Sequence, residues 1–184
     1  MNKNSKIILH ICCAVCGAYL VDLLKKNFAE VLLYFYNPNI FPKEEYERRK
    51  EAVRNLAEIY HLKLETGPYD QEKWFKEIKG LEKEPEGGKR CEICFLMRLS
   101  KTAHFAKEKN FEYFGTTLSI SPYKNEKIIE GIGEKIAEKF NLNFLKLTDF
   151  QESKKEIWQK TRLLAREFNF YHQKYCGCLF SLKS

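Results

Sequence analysis

A chain of 184 residues, 44% apolar and 14% aromatic, is long enough to bury one compact hydrophobic core. No run reaches the roughly 18 apolar residues of a membrane span. Ile7-Ile8-Leu9 is too short for a signal-peptide core and no small-residue cleavage pattern follows it, so a cytoplasmic chain without a membrane partner is expected. The formal charge of +7 permits contact with a polyanion such as RNA but does not require it.

Lys6 to Ile11 is short, apolar and β-branched, and reads as a buried strand. Gly17 to Asn27 reads as a helix with Ala18, Leu20, Val21 and Leu24 on its apolar face. Val31 to Tyr36 is a second strand, stopped by Asn37-Pro38-Asn39. Pro42 suits the first turn of a helix reaching about Tyr60, with Tyr46, Val53, Leu56, Ala57 and Tyr60 at helical spacing. Lys63 to Thr66 is a third strand, and Gln71 to Ile78 a short helix. A polar loop, Gly80 to Lys89, leads to a helix from Cys91 to about Lys109. Glu112 to Thr117 is a fourth strand, Asn125 to Phe140 a helix, Asn143 to Leu147 a fifth strand and Lys154 to Phe168 the last helix. The tail, residues 170–184, carries Cys176-Gly177-Cys178. Strands alternating with helices predict an α/β fold with a single doubly wound, mostly parallel five-stranded sheet, in one catalytic domain over residues 1–184. Chemistry in such sheets collects outside the strands' carboxyl ends where strand order reverses. If the first and fourth strands are neighbours, that crevice lies between Cys12 and Thr116-Thr117.

Seven cysteines, an odd count, argue against a disulfide framework in a cytoplasmic chain. They fall into three tight groups, Cys12-Cys13-x-x-Cys16, Cys91-x-x-Cys94 and Cys176-x-Cys178, which must converge to share a metal or redox site. The Cys91/Cys94 spacing suits half a zinc site, part of an iron–sulfur site or a redox pair, and the helix N-terminus is expected to lower both pKa values. Glu92-Ile93 between them disfavours the redox pair. The turn after the first strand has only Gly17, so it offers thiols where a nucleotide-binding turn offers a glycine cradle. Adjacent Cys12 and Cys13 reach different irons of a cluster more easily than one zinc ion; Cys16 is the candidate for a merely packed small side chain. Cys176 and Cys178 can bind one metal side by side or form a strained disulfide. The sum fits one 4Fe–4S cluster and a second redox or iron site, with zinc as the competing sum.

Other polar residues carry weaker signals. Tyr36, Asn37 and Asn39 end the second strand on the expected active edge. Asp70 caps a helix or supplies a proton. Thr116, Thr117 and Lys124 can hold a ribose, phosphate or base. His10 shows no metal-ligand spacing with the other histidines, Arg98 is expected on the surface, and Arg90 can tune a cluster or contact phosphate.

Five stretches in order resemble the cobalamin-independent epoxyqueuosine reductases: Leu9-His10-Ile11-Cys12-Cys13-Ala14-Val15-Cys16, Tyr36-Asn37-Pro38-Asn39-Ile40, Arg90-Cys91-Glu92-Ile93-Cys94-Phe95, Thr116-Thr117-Leu118 with Ser121-Pro122-Tyr123-Lys124-Asn125, and Tyr175-Cys176-Gly177-Cys178-Leu179-Phe180-Ser181. Val15 stands where that family commonly has proline and His172 where it commonly has arginine. The resemblance implies removal of the epoxide oxygen of epoxyqueuosine at the tRNA wobble base, a 4Fe–4S cluster, a nearby mononuclear iron and an external electron donor. It also implies the layout of the adenine-nucleotide α-hydrolase, or PP-loop, proteins without a phosphate loop. On that reading Cys12, Cys13, Cys91 and Cys94 hold the cluster. Cys176 and Cys178 form a redox pair or bind the second iron, with Cys16 as a further ligand. Tyr36, Asn37, Asn39, Thr116, Thr117 and Lys124 touch substrate, and Asp70 is a candidate proton donor. The alternatives are an iron–sulfur tRNA thiolase-like enzyme, for which a phosphate loop is missing, and a zinc-stabilised RNA-binding module.

Overall fold

Alternate residues of β1 (Lys6–His10) face opposite sides of the sheet, and both sides are apolar. Ile7 and Leu9 pack into one layer, Ile8 into the other. The same alternation runs through β2 (Glu30–Phe35), where Val31, Leu33 and Phe35 oppose Leu32 and Tyr34. Both strands are therefore central. A computed structural model of the chain, describing residues 3–182, orders the parallel sheet β3-β2-β1-β4-β5, with β3 at Lys63–Thr66, β4 at Tyr113–Thr116 and β5 at Asn143–Phe144. Met1, Asn2, Lys183 and Ser184, the last two in the predicted tail, lie outside the described residues. Helices α1 (Ala14–Asn27), α2 (Lys43–Ile59) and α6 (Lys154–Glu167) cover one face; α4 (Lys89–Glu108) and α5 (Glu126–Phe140) cover the other. The short α3 (Gln71–Glu77) follows β3. No helix among the described residues is long and apolar enough to cross a membrane.

Strand order reverses between β1 and β4, as the expected crevice requires. Two boundaries differ from expectation with consequences for the site. Helix α1 starts at Ala14, with Cys13 as its extended N-cap, so Cys16 stands in its first turn. Strand β5 has two residues because Leu145 and Leu147 leave it for the core under α1 and α6. Helix α5 lies so close to β5 that a methyl added at Gly133 would sit 2.6 Å from the Phe144 ring.

His10 ties three strand ends together. Its fully buried ring meets Thr116 Oγ1 at 2.9 Å through Nδ1 and donates from Nε2 to the Tyr36 carbonyl at 3.1 Å. Burial, then the charge of Arg98, lowers its pKa to about 4. The unfolded chain takes up this proton below about pH 6.5 while the folded chain refuses it until about pH 4, so stability falls across that window as pH drops. The loss amounts to about 3 kcal/mol at its acid end. His10→Gln, which keeps a donor for Tyr36, should show a flatter stability curve there; urea unfolding of both proteins at pH 7 and pH 4.5 checks it.

Candidate active site and metal centre

The turn from β1 to α1 folds three thiols over the switch point. The Cys12 amide donates to Thr117 Oγ1 at 3.2 Å, which anchors the turn to the end of β4. Cys13 caps α1, and one turn of helix brings Cys16 back, so the three sulfur atoms lie within 4.8 Å of one another. Gln173 from the tail donates to Cys13 Sγ at 3.0 Å. Side-chain hydrogen bonds among the three thiols hold Cys12 well below the usual thiol range, while Cys13 and Cys16 are pushed up, first by their contacts with Cys12. Cys16, expected to be a packed small side chain, is buried yet belongs to this group.

The other four thiols lie around the start of α4, and among the described residues no three of them close to the spacing of the first group. Cys91 is the third residue of that helix, and the Gly87 amide donates to its sulfur at 3.2 Å. Cys94 and Cys178 pack with Trp74 and Ile78 in a small apolar cluster. The nearness of Cys176 and Cys178 opposes the ionisation of Cys91 and Cys94. The expected lowering of the Cys91 and Cys94 pKa values is corrected: burial outweighs the helix terminus and pushes both up, Cys94 to about 11.

A buried clamp on α2 places the tail. Glu45 Oε1 accepts from Arg49 Nε at 2.7 Å, both residues being almost wholly buried. Arg49 donates to the carbonyls of Cys176 at 2.9 Å and Tyr175 at 3.0 Å, and Tyr171 donates to Glu45 Oε2 at 2.7 Å. The backbone at Gly177 has φ +124°, where L side chains rarely go, and an added methyl would lie 2.9 Å from Arg49 Nη1. Its carbonyl accepts from the Phe41 amide at 2.7 Å.

These elements enclose a cavity of 1390 Å³ that reaches Cys12, Cys16 and Cys176. Of the predicted substrate contacts, Lys124 lines it. Burial pulls the Lys124 pKa down, but Cys176, Cys12 and Cys16 outweigh that, leaving the ammonium above the ordinary lysine value. Tyr36, Asn37, Asn39, Thr116 and Thr117 are buried and do not line the cavity. Thr116 accepts from the Leu118 amide at 3.1 Å as well as meeting His10, and Asn37 donates to the Ile11 carbonyl at 2.9 Å. Asp70 caps α3, accepting from the Lys73 amide at 3.0 Å. Arg90 stacks on Phe180 at 4.6 Å and donates to the carbonyls of Leu81 at 3.2 Å and Glu82 at 2.9 Å. The expectation of a surface Arg98 is corrected: it is 3% exposed and lines the cavity, because it shares a face of α4 with Cys91 and Cys94. That spacing was the available signal. Glu45 and Arg49 gave none, since an i, i+4 ion pair is ordinary on exposed helices.

The family profile described as Epoxyqueuosine reductase QueH matches residues 7–184. The chain belongs to this epoxyqueuosine reductase family. A Thermotoga maritima relative, named Epoxyqueuosine reductase QueH, is 40% identical over 182 residues, covering 96% of this chain and 90% of its own. One of the same name from Streptococcus pyogenes serotype M1 is 36% identical over 183 residues, covering 96% and 70%. Among solved structures, the chain is similar to the U34-tRNA thiolase NcsA from Methanococcus maripaludis with its [4Fe-4S] cluster, at TM-score 0.47 and 12% identity, covering 97% of this chain and 77% of the other. For a member of the epoxyqueuosine reductase family, the donor set at the switch point is telling. It is all sulfur, with no carboxylate or imidazole in the group. Such a set suits iron–sulfur clusters, zinc or copper(I), and Cys12, Cys13 and Cys16 can hold such a metal.

Proposed function

We propose that the protein removes the epoxide oxygen of epoxyqueuosine in tRNA, yielding queuosine, with a 4Fe–4S cluster and an adjacent iron held by its cysteines. The observation that carries this is a three-sulfur group opening on a large cavity at the switch point, in a chain that matches the family over residues 7–184. The geometry supports a ligand division different from the spacing-based one. Cys12, Cys13 and Cys16 form one centre, and Cys91, Cys94, Cys176 and Cys178 supply the other. When bound, the cluster supplies electrons and the second iron a Lewis acid for the epoxide oxygen.

The chain's own groups supply the rest. The charged Lys124, half-buried at the cavity wall, donates a proton to the departing oxygen. Arg48, Arg162 and Lys174 are exposed on the cavity rim and grip RNA phosphates. Tyr123, 84% exposed at the same mouth, offers a face for a base. Removing the oxygen as water consumes two electrons and two protons, so an external reductant is needed, consistent with a cytoplasmic enzyme. Arg162→Gln should lower the slope of log affinity against log salt by about 1, measured as tRNA binding at several salt concentrations. For the activity, reconstituted protein, a reductant and epoxyqueuosine-containing tRNA should give a nucleoside lighter by one oxygen. Protein purified anaerobically with zinc but no iron or sulfide, and inactive after reconstitution, would sink the reading.

A further inference from the structure

Arg98 stands one turn beyond Cys94 and two beyond Cys91 on α4 and is almost wholly buried. An arginine keeps its charge in a protein interior, and a buried cation needs an anion beside it. Among the described residues no carboxylate lies within ion-pair distance of this guanidinium. Its Nε donates to the Cys94 carbonyl at 3.1 Å and its plane lies 5.6 Å from the Phe95 ring centre; neither contact neutralises it. The groups that surround it are sulfurs: it lines the cavity with Cys12, Cys16 and Cys176, and Cys94 stands one turn before it on α4. They come from both thiol groups. The other cation at this place, Lys124, approaches Cys176, Cys12 and Cys16 from the cavity wall.

We propose that Arg98 is the shared counter-cation of the two thiol groups, a positioning residue whose fixed charge balances that of a metal held by their sulfurs. The proposal rests on reading the cysteines as metal ligands. A metal held by several thiolates carries net negative charge, and in a buried place that charge needs an internal partner. A neutral side chain of similar length keeps the packing on Phe95 and removes only the charge.

The test is a titration of anaerobic, metal-free protein with cobalt(II), followed by the sulfur-to-cobalt charge-transfer absorption. Arg98→Met and Arg98→Gln should bind about 10–100-fold more weakly than the unaltered chain. Arg98→Lys, which restores the charge, should recover most of that loss, and it keeps the comparison meaningful where a neutral variant fails to fold. Neutral, folded variants with unchanged affinity would overturn the role of Arg98 alone. An unaltered chain that binds no cobalt would instead overturn the metal-thiolate reading beneath it.

Discussion

Cys12→Ala leaves a chain that folds but no longer retains its metal, and epoxyqueuosine reduction falls by about 100-fold or more, beyond what loss of a mere supporting contact costs. The reason lies in the electrostatics of the group. Cys12 is the sulfur whose pKa is lowered, through its side-chain hydrogen bonds with Cys13 and Cys16. Without it, two buried thiols remain whose own burial favours the protonated state. The fold is spared because Cys12 is only half-buried and its amide, which anchors the turn to Thr117, is still present. Iron and sulfide per chain after anaerobic reconstitution, with circular dichroism as the folding control, check the prediction. Full metal content in Cys12→Ala would refute the assignment.

Arg49→Met should destabilise the protein by about 3–5 kcal/mol, because it strips a buried carboxylate of its partner. Glu45 keeps the Tyr171 hydroxyl, but loses the 2.7 Å bond from Arg49. The same change frees the carbonyls of Tyr175 and Cys176, which hold the tail thiols in place. For a chain of this size the loss lowers Tm by roughly 6–20 °C. The double variant Glu45→Gln/Arg49→Met should recover part of the stability, since the stranded charge is gone, but not the tail's position. Thermal unfolding separates the first effect. Faster proteolysis after α6 in both variants reports the second.

The parallel five-stranded sheet was legible because local rules and the global fold agree, and the place of the site followed once β1 and β4 proved to be neighbours. The apolar, β-branched run of β1 marked a buried strand, and the thiol turn at its carboxyl end marked the expected crevice. What was hidden depends on partners distant in sequence. Glu45 and Arg49 look like surface residues until the tail folds over them. The pKa shift of Cys94 changed sign because the Trp74 cluster buries it more than the helix terminus favours its charge. Cys16 joined its group because α1 begins three residues before the spacing of apolar residues suggested. Thr117, read as a ligand contact, spends its hydroxyl on the Cys12 amide.

The clamp on the tail also sets an order of assembly. The switch-point thiols come from one strand–turn–helix unit and need little of the chain to meet. Cys176 and Cys178 take their place only after a contact between Arg49 and residues far along the chain has closed. Closing so long a loop adds little to its entropic cost but delays the encounter. During synthesis the switch-point thiols can therefore gather while Cys176 and Cys178 are still unplaced, and a newly made chain passes through a stage in which one group of cysteines is ready and the tail pair waits for the Arg49 clamp.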